Sequence, residues 1–296
     1  MYNLLKYEWF RFKKNKCLIL ILLIAALWTC FQPITYKVMK TSFQEYGDEQ
    51  AEGLSEADDE AVGEVLDEEE KEDSIGFTVM GSSKWYSKGF KPTVFDYYVS
   101  LITSMIPALL LVIFTILYVK QEFISGFVKS IGAYIKMSQL YLANMLMIAL
   151  AVIMMNVVII GVSALASVIV EGYLIWGSIG ALLKYSLYVT LLSLAFLAIP
   201  VAIFYIVRTG TLPMVLGISE AMMGTLVCAR VVNLLLREYL KVSDDFQLSD
   251  YFAVYHLKMS EFEFAKNAVE KPIIFAIIGI VVCSVASMYA LKKKDV

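Results

Sequence analysis

The chain has 296 residues, 59% of them apolar, and a formal net charge of −3; its mean hydropathy is +0.69. A soluble globular chain is usually about half apolar. The excess here is gathered into runs long enough to cross a bilayer, which excludes an ordinary soluble domain and points to an all-α polytopic membrane protein. The charge is divided unevenly: Thr41 to Met80 holds fifteen acids and one Lys, a charge of −14, so the rest of the chain carries +11. That division fits one acidic domain attached to a basic membrane body.

Taken in chain order, residues 1–16 predict an amphipathic cytosolic helix. Leu5, Trp9 and Phe12, with Tyr2, fall at helical spacing, while Lys6 and Lys13 lie on another face. Such a helix lies in the membrane interface, with Trp9 at headgroup depth. The first span is predicted over 17–37. Five basic residues precede it (Lys6, Arg11, Lys13, Lys14, Lys16), which holds the N-terminus in the cytosol. The run is too long for a cleavable signal and lacks a small-residue cleavage site after it. Pro33 is expected to kink or stop this span.

Residues 38–94 are then external. Their middle is highly charged and poor in aromatics, so apolar burial cannot hold it together. An acidic surface of this kind raises the local concentration of cations or cationic peptides; a solvated loop without a ligand is the plainer reading. Within it, Gly76 and Gly81 have the spacing of a phosphate-binding loop, but Ser82 stands where the phosphate-holding Lys belongs. No ATP site is expected in the chain.

The second span is predicted over 95–119, with Pro107 in its middle. A polar island, 120–139, follows. It carries Lys120, Lys129 and Lys136 against one acid, Glu122, and this places it in the cytosol. Phe123, Phe127 and Ile131 recur four apart and share a helical face. That face needs either a protein partner or the lipid headgroups. The third span covers 140–170, longer than the roughly 20 residues a bilayer needs. An outer turn carries Trp176, and the fourth span is 181–207, with Lys184 at its outer end and Pro200 inside. A cytosolic turn at Arg208 leads to the fifth, 212–241, which is apolar to about Ala229 and charged beyond. Residues 242–270 are external and aromatic-rich. The sixth span is 272–291, and the basic tail, 292–296, is held in the cytosol.

Glu122, Gly126 and Lys129 form E-x-x-x-G-x-x-K directly after the second apolar run, and an aliphatic segment containing Ser138 opens the next span. Within a six-span layout this resembles the coupling-helix region of type-2 ABC exporter permeases. The chain departs from that pattern at the following turn. Tyr134, Ile135, Lys136 and Met137 stand where Pro and Arg are common, and Asn144 stands where Lys is frequent. The resemblance extends to the N-terminal helix, which matches an elbow helix, and to the fifth span, whose outer half is broken and dips back in such permeases.

The resemblance implies a bacterial plasma-membrane subunit with both termini cytosolic, paired with a second permease subunit, expected as a homodimer. Two copies of a separate ATPase, which would hold ATP and Mg, sit beneath. Glu122, Phe123, Gly126, Phe127, Lys129 and Ile131 would couple to that ATPase. Leu5, Trp9 and Phe12 would form the elbow. The implied cargo is an amphipathic antimicrobial or cytolytic peptide, or a drug, moved out of the cell; membrane lipid is a further partner and nucleic acid is not.

Three polar residues within the spans are candidates for the pathway: Glu220, Asn144 and Asn156. An ionisable group in hydrocarbon is costly and faces a cavity or pairs with a neighbour. The two Asn equally suit interhelical hydrogen bonds. His256, the single histidine, is expected at the surface, and Cys17, Cys30, Cys228 and Cys283 as packing residues without metal spacing. There is no nucleophile elbow, zinc motif or Ser/His/Asp set, so no enzyme activity is expected. The rival from another class is a membrane sensor or scaffold that binds cationic peptides through the acidic domain. A secondary transporter is a third reading, but the halves show no inverted repeat.

Overall fold

The computed structural model describes residues 2–51, 91–125, 136–222, 224–240, 248–258 and 270–293. Among these residues the chain is helical, with no strand. Five helices are long and apolar enough to cross a membrane. The molecule is therefore an all-α, multi-pass membrane protein.

Helix α1 (Tyr2–Lys13) turns at Asn15, whose side-chain Oδ1 accepts from the Cys17 N–H at 2.9 Å and so caps α2 (Lys16–Ala51). Pro33 neither stops α2 nor ends the span there: the helix continues through it to Ala51. Membrane helices tolerate the lost backbone bond when neighbouring elements enclose the site, and Pro33 is buried. The first residues of the expected external domain thus prolong the first span, while 52–90 lie outside the described residues.

The second span is not one rod. Helix α3 (Val94–Thr103) starts from a capping box in which Thr93 and Asp96 bond reciprocally. It ends at Ser104. Met105 adopts a left-handed conformation, φ 61°, and α4 (Ile106–Ile124) begins with Pro107 in its first turn. Proline lacks a donor and clashes with the preceding turn of a continuing helix, but it suits a helix start. Pro107 therefore marks a boundary where the sequence predicted the middle of a span.

Helix α5 (Met137–Ala166) closes with a π turn, Ser167–Glu171, ended by left-handed Gly172. Its C-terminal end is tied to α3: Tyr97 Oη donates to Glu171 at 2.9 Å, and Val94 N–H donates to the Ile175 carbonyl at 2.8 Å. Helix α6 (Ile179–Val207) is capped by Ser178 and ends at left-handed Arg208. It is the centre of the bundle, packed by α4, α5 and three of the helices that follow.

The expected fifth span is divided into α7 (Thr211–Ala221) and α8 (Gly224–Leu240). At the division the backbone passes so close that a Cβ on Gly224 would come within 2.3 Å of Ser219 Oγ and 2.8 Å of its carbonyl oxygen. After a short 3-10 turn, Leu248–Tyr251, helix α9 (Ala253–Lys258) folds onto α6, and α10 (Glu270–Lys293) runs along α6. His256, expected at the surface, is only 6% exposed, because α9 tucks it against the middle of α6 and the first turns of α10.

Candidate functional site at the junction of α1, α4 and α5

Helix α1 would have little to hold it if it carried only the apolar stripe read from its sequence. Of that stripe, Phe12 is buried and Leu5 half-buried, while Trp9 is 42% exposed. The face that packs is rotated from it. Leu4 meets Leu140 and Ala143 of α5, and Phe12 meets Phe114 and Tyr118 of α4 edge-on, at 6.1 and 6.2 Å between ring centroids. Between these two contacts lie Glu8 and Arg11, three residues apart and so on one face.

Arg11 reaches across to the C-terminal end of α4. Its Nη1 donates to Glu122 Oε1 at 2.5 Å, and its Nη2 pairs with Glu8 Oε2 at 3.1 Å. The guanidinium lies over the Tyr118 ring, 4.0 Å from the centroid. Tyr118 Oη donates to Glu8 Oε2 at 2.8 Å. On the far side, Asn144 Nδ2 donates to Glu122 Oε2 at 2.6 Å and to Tyr205 Oη at 2.9 Å. Glu8, Tyr118, Glu122, Asn144 and Tyr205 are each at most 1% exposed. Four helices (α1, α4, α5 and α6) thus meet in one buried polar network.

A charge taken out of water is tolerated only when paired and hydrogen-bonded. Here one guanidinium stands between two carboxylates, and Asn144 and Tyr118 donate to those carboxylates from either side. Burial disfavours the charge on Arg11, but Glu122, Tyr118 and Glu8 more than offset that, and its pKa is raised above the ordinary guanidinium value. Nearby, burial pushes the Tyr7 hydroxyl up. The network holds α1 against the bundle in one register, because Arg11 can satisfy both acids only from this position.

The expected coupling residues are divided by this geometry. Glu122 is buried in the network, and Phe123 packs edge-on against Phe204 and Tyr205 of α6 at 5.3 and 5.9 Å. Glu122 belongs to the bundle interior, and Phe123 is half-buried, packed on the core with part of its ring open. Gly126, Phe127, Lys129 and Ile131 lie outside the described residues.

The three candidate pathway residues are not one cluster. Asn144 belongs to the network. Asn156, twelve residues further along α5 and so roughly 18 Å away, donates to Thr190 Oγ1 of α6 at 2.9 Å. Glu220 is 5% exposed on the last turn of α7, without a hydrogen-bond or ion-pair partner among the described residues. Among the described residues no cluster of His, Cys, Asp and Glu could hold a metal ion.

Sequence reasoning did not find Glu8, Arg11, Tyr118 and Tyr205. A signal was present for three of them: Glu8 and Arg11 form an i,i+3 pair, and Tyr118 precedes Glu122 by one turn. Arg11 was counted only among the charges flanking the first span. Tyr205 carried no local signal, since it reaches the site only through the packing of α6. Set beside known proteins, the chain matches no protein-family model, no curated protein and no solved structure.

Proposed function

We propose that this chain is the membrane subunit of an ATP-driven exporter. Two copies would form a pathway between them, a separate ATPase dimer would bind on the cytosolic side, and amphipathic peptides or drugs would leave the cell. In this reading the fifth of six spans is the divided pair α7 and α8, and both termini face the cytosol of a bacterial cell.

The observation that carries the reading is the buried tie between α1 and the end of α4. Glu122 opens the motif of the polar island, 120–139, that resembles a coupling segment. A force applied to that island is carried by Glu122. From there it passes to Arg11 and α1, and through Asn144 and Tyr205 to α5 and α6. An element that must convey ATPase movement to a bundle needs such a rigid junction at its root, whereas a passive loop between spans does not.

The test is co-purification. The chain, expressed with the ATPase encoded beside it, should retain that ATPase in detergent and raise its turnover. Gly126→Leu should abolish both, because glycine in a helix costs about 1 kcal/mol against Ala and its presence suggests close backbone approach. Peptide binding that persists with no associated ATPase would favour the sensor reading and overturn this one.

A further inference from the structure

Where α1 turns into α2, beside the cytosolic end of α4, lies an open hollow of about 700 Å³. Its walls carry Lys14, Lys16 and Lys120, and no acid is among the lining residues. Arg11 also borders it, but its charge is spent on Glu8 and Glu122. The rest of the lining is partly apolar: Phe10, Leu117 and Ile124 are 57, 40 and 73% exposed.

The Lys120 stem is held in place. It lies against Gly210, just ahead of α7, so closely that a Cβ there would approach its Cδ to 2.8 Å. Lys14 in turn rests over the Phe10 ring at 4.4 Å. Lys16 opens the first span and Lys120 sits one turn before the end of the second. The three ammonium groups therefore stand at the depth where a bilayer places its phosphates, with Leu117, three residues nearer the middle of the span than Lys120, at acyl depth.

We propose that this hollow binds an anionic phospholipid of the cytosolic leaflet, its phosphate held by Lys14, Lys16 and Lys120 and an acyl chain lying along Leu117. Basic hollows between spans on the cytosolic side suit such headgroups, and each Lys near the surface contributes about a fivefold gain in affinity. A free phosphate would use the three lysines but gain nothing from Phe10, Leu117 or Ile124. A soluble acidic protein would not reach them. The inference rests on the cytosolic placement of α1 and is independent of the export reading, so ATPase binding by the variants keeps the two outcomes separate.

The full chain, purified in detergent, would be titrated with labelled phosphatidylglycerol and phosphatidylcholine and followed by native mass spectrometry. Phosphatidylglycerol should bind in preference. Lys14→Gln, Lys16→Gln and Lys120→Gln together should weaken it roughly a hundredfold, and Arg at the three positions should restore it. The same number of changes outside the hollow, Lys6→Gln, Lys13→Gln and Lys292→Gln, should leave it within about threefold. Leu117→Glu should weaken phosphatidylglycerol too, and inorganic phosphate should not displace it. Should the triple variant fail to elute as a single species, Lys120→Gln alone carries the test, with about a fivefold loss. Equal losses in the hollow and control sets would overturn the proposal, as would displacement by phosphate with no effect of Leu117→Glu.

Discussion

Helices α6 and α10 are nearly equal in hydropathy, 2.4 and 2.5 over their most apolar stretches, and pack along each other. Yet 67% of that stretch is buried in α6 and only 11% in α10. Hydropathy measures transfer out of water, and a lipid tail is as apolar as a leucine. It therefore reports that a helix can cross, and not whether it crosses at the centre of the bundle or at its edge. What distinguishes the two is the kind of apolar side chain. The buried face of α6 carries aromatic groups that interlock with other helices, among them Tyr185, Tyr188, Phe196, Phe204 and Tyr205. The open face of α10 carries aliphatic side chains, including Ile274, Ile278, Val282 and Val285, each more than half exposed.

The largest effect that tests this division belongs to the polar junction. Arg11→Ala leaves Glu8 and Glu122 buried without their cation, and should lower stability by about 3–5 kcal/mol, read as the unfolding midpoint in detergent. Adding Glu122→Gln should recover part of that loss; no recovery would show that Arg11 acts through its packing on Tyr118 instead.

Next comes the core itself. Phe196→Ala on α6 empties a site of 0% exposure and should cost about 3 kcal/mol by the same measurement. A much smaller loss would place α6 nearer the edge than its burial implies.

A lesser loss is expected where α7 presses on α4 and α6. A Cβ on Gly217 would come within 2.6 Å of Val112 Cγ1 and 3.3 Å of Pro200 Cβ. Gly217→Leu should therefore cost about 1–3 kcal/mol by overpacking, and a neutral result would mean that α7 sits loosely. The smallest effect is expected at the open face: Val282→Ala, at a residue 60% exposed, should change stability by less than about 0.5 kcal/mol. A larger loss would show that this face packs against something, as it would between two subunits.

The chain's sequence made its membrane character and most of its helices legible, because a run of twenty apolar residues has one solution in a bilayer. It misplaced the details that depend on neighbours. Pro33 and Pro107 carry the same local constraint, yet one is absorbed inside α2 and the other opens α4 after a break; tertiary surroundings decide which. Glu122 and Asn144 stood out as polar residues in apolar settings, but their bond to each other could not be read, since twenty-two positions separate them. Arg11 was visible only as one charge among five. The sequence pattern marked the apolar stripe of α1 but not the face carrying Leu4, Glu8 and Arg11 that packs on the bundle, because an ion pair with a distant helix leaves no local apolar signal.

The break at Met105 has a mechanical consequence. A straight rod would carry any displacement of Glu122 through to its other end. Here α3 and α4 meet at a single residue outside both helices, and α3 is tethered separately to the end of α5 through Tyr97 and Glu171. The span 106–124 is therefore fastened by a different device at each end: Glu122 by the polar junction, and Ile106 by a left-handed residue, 1% exposed, that joins it to the tethered α3.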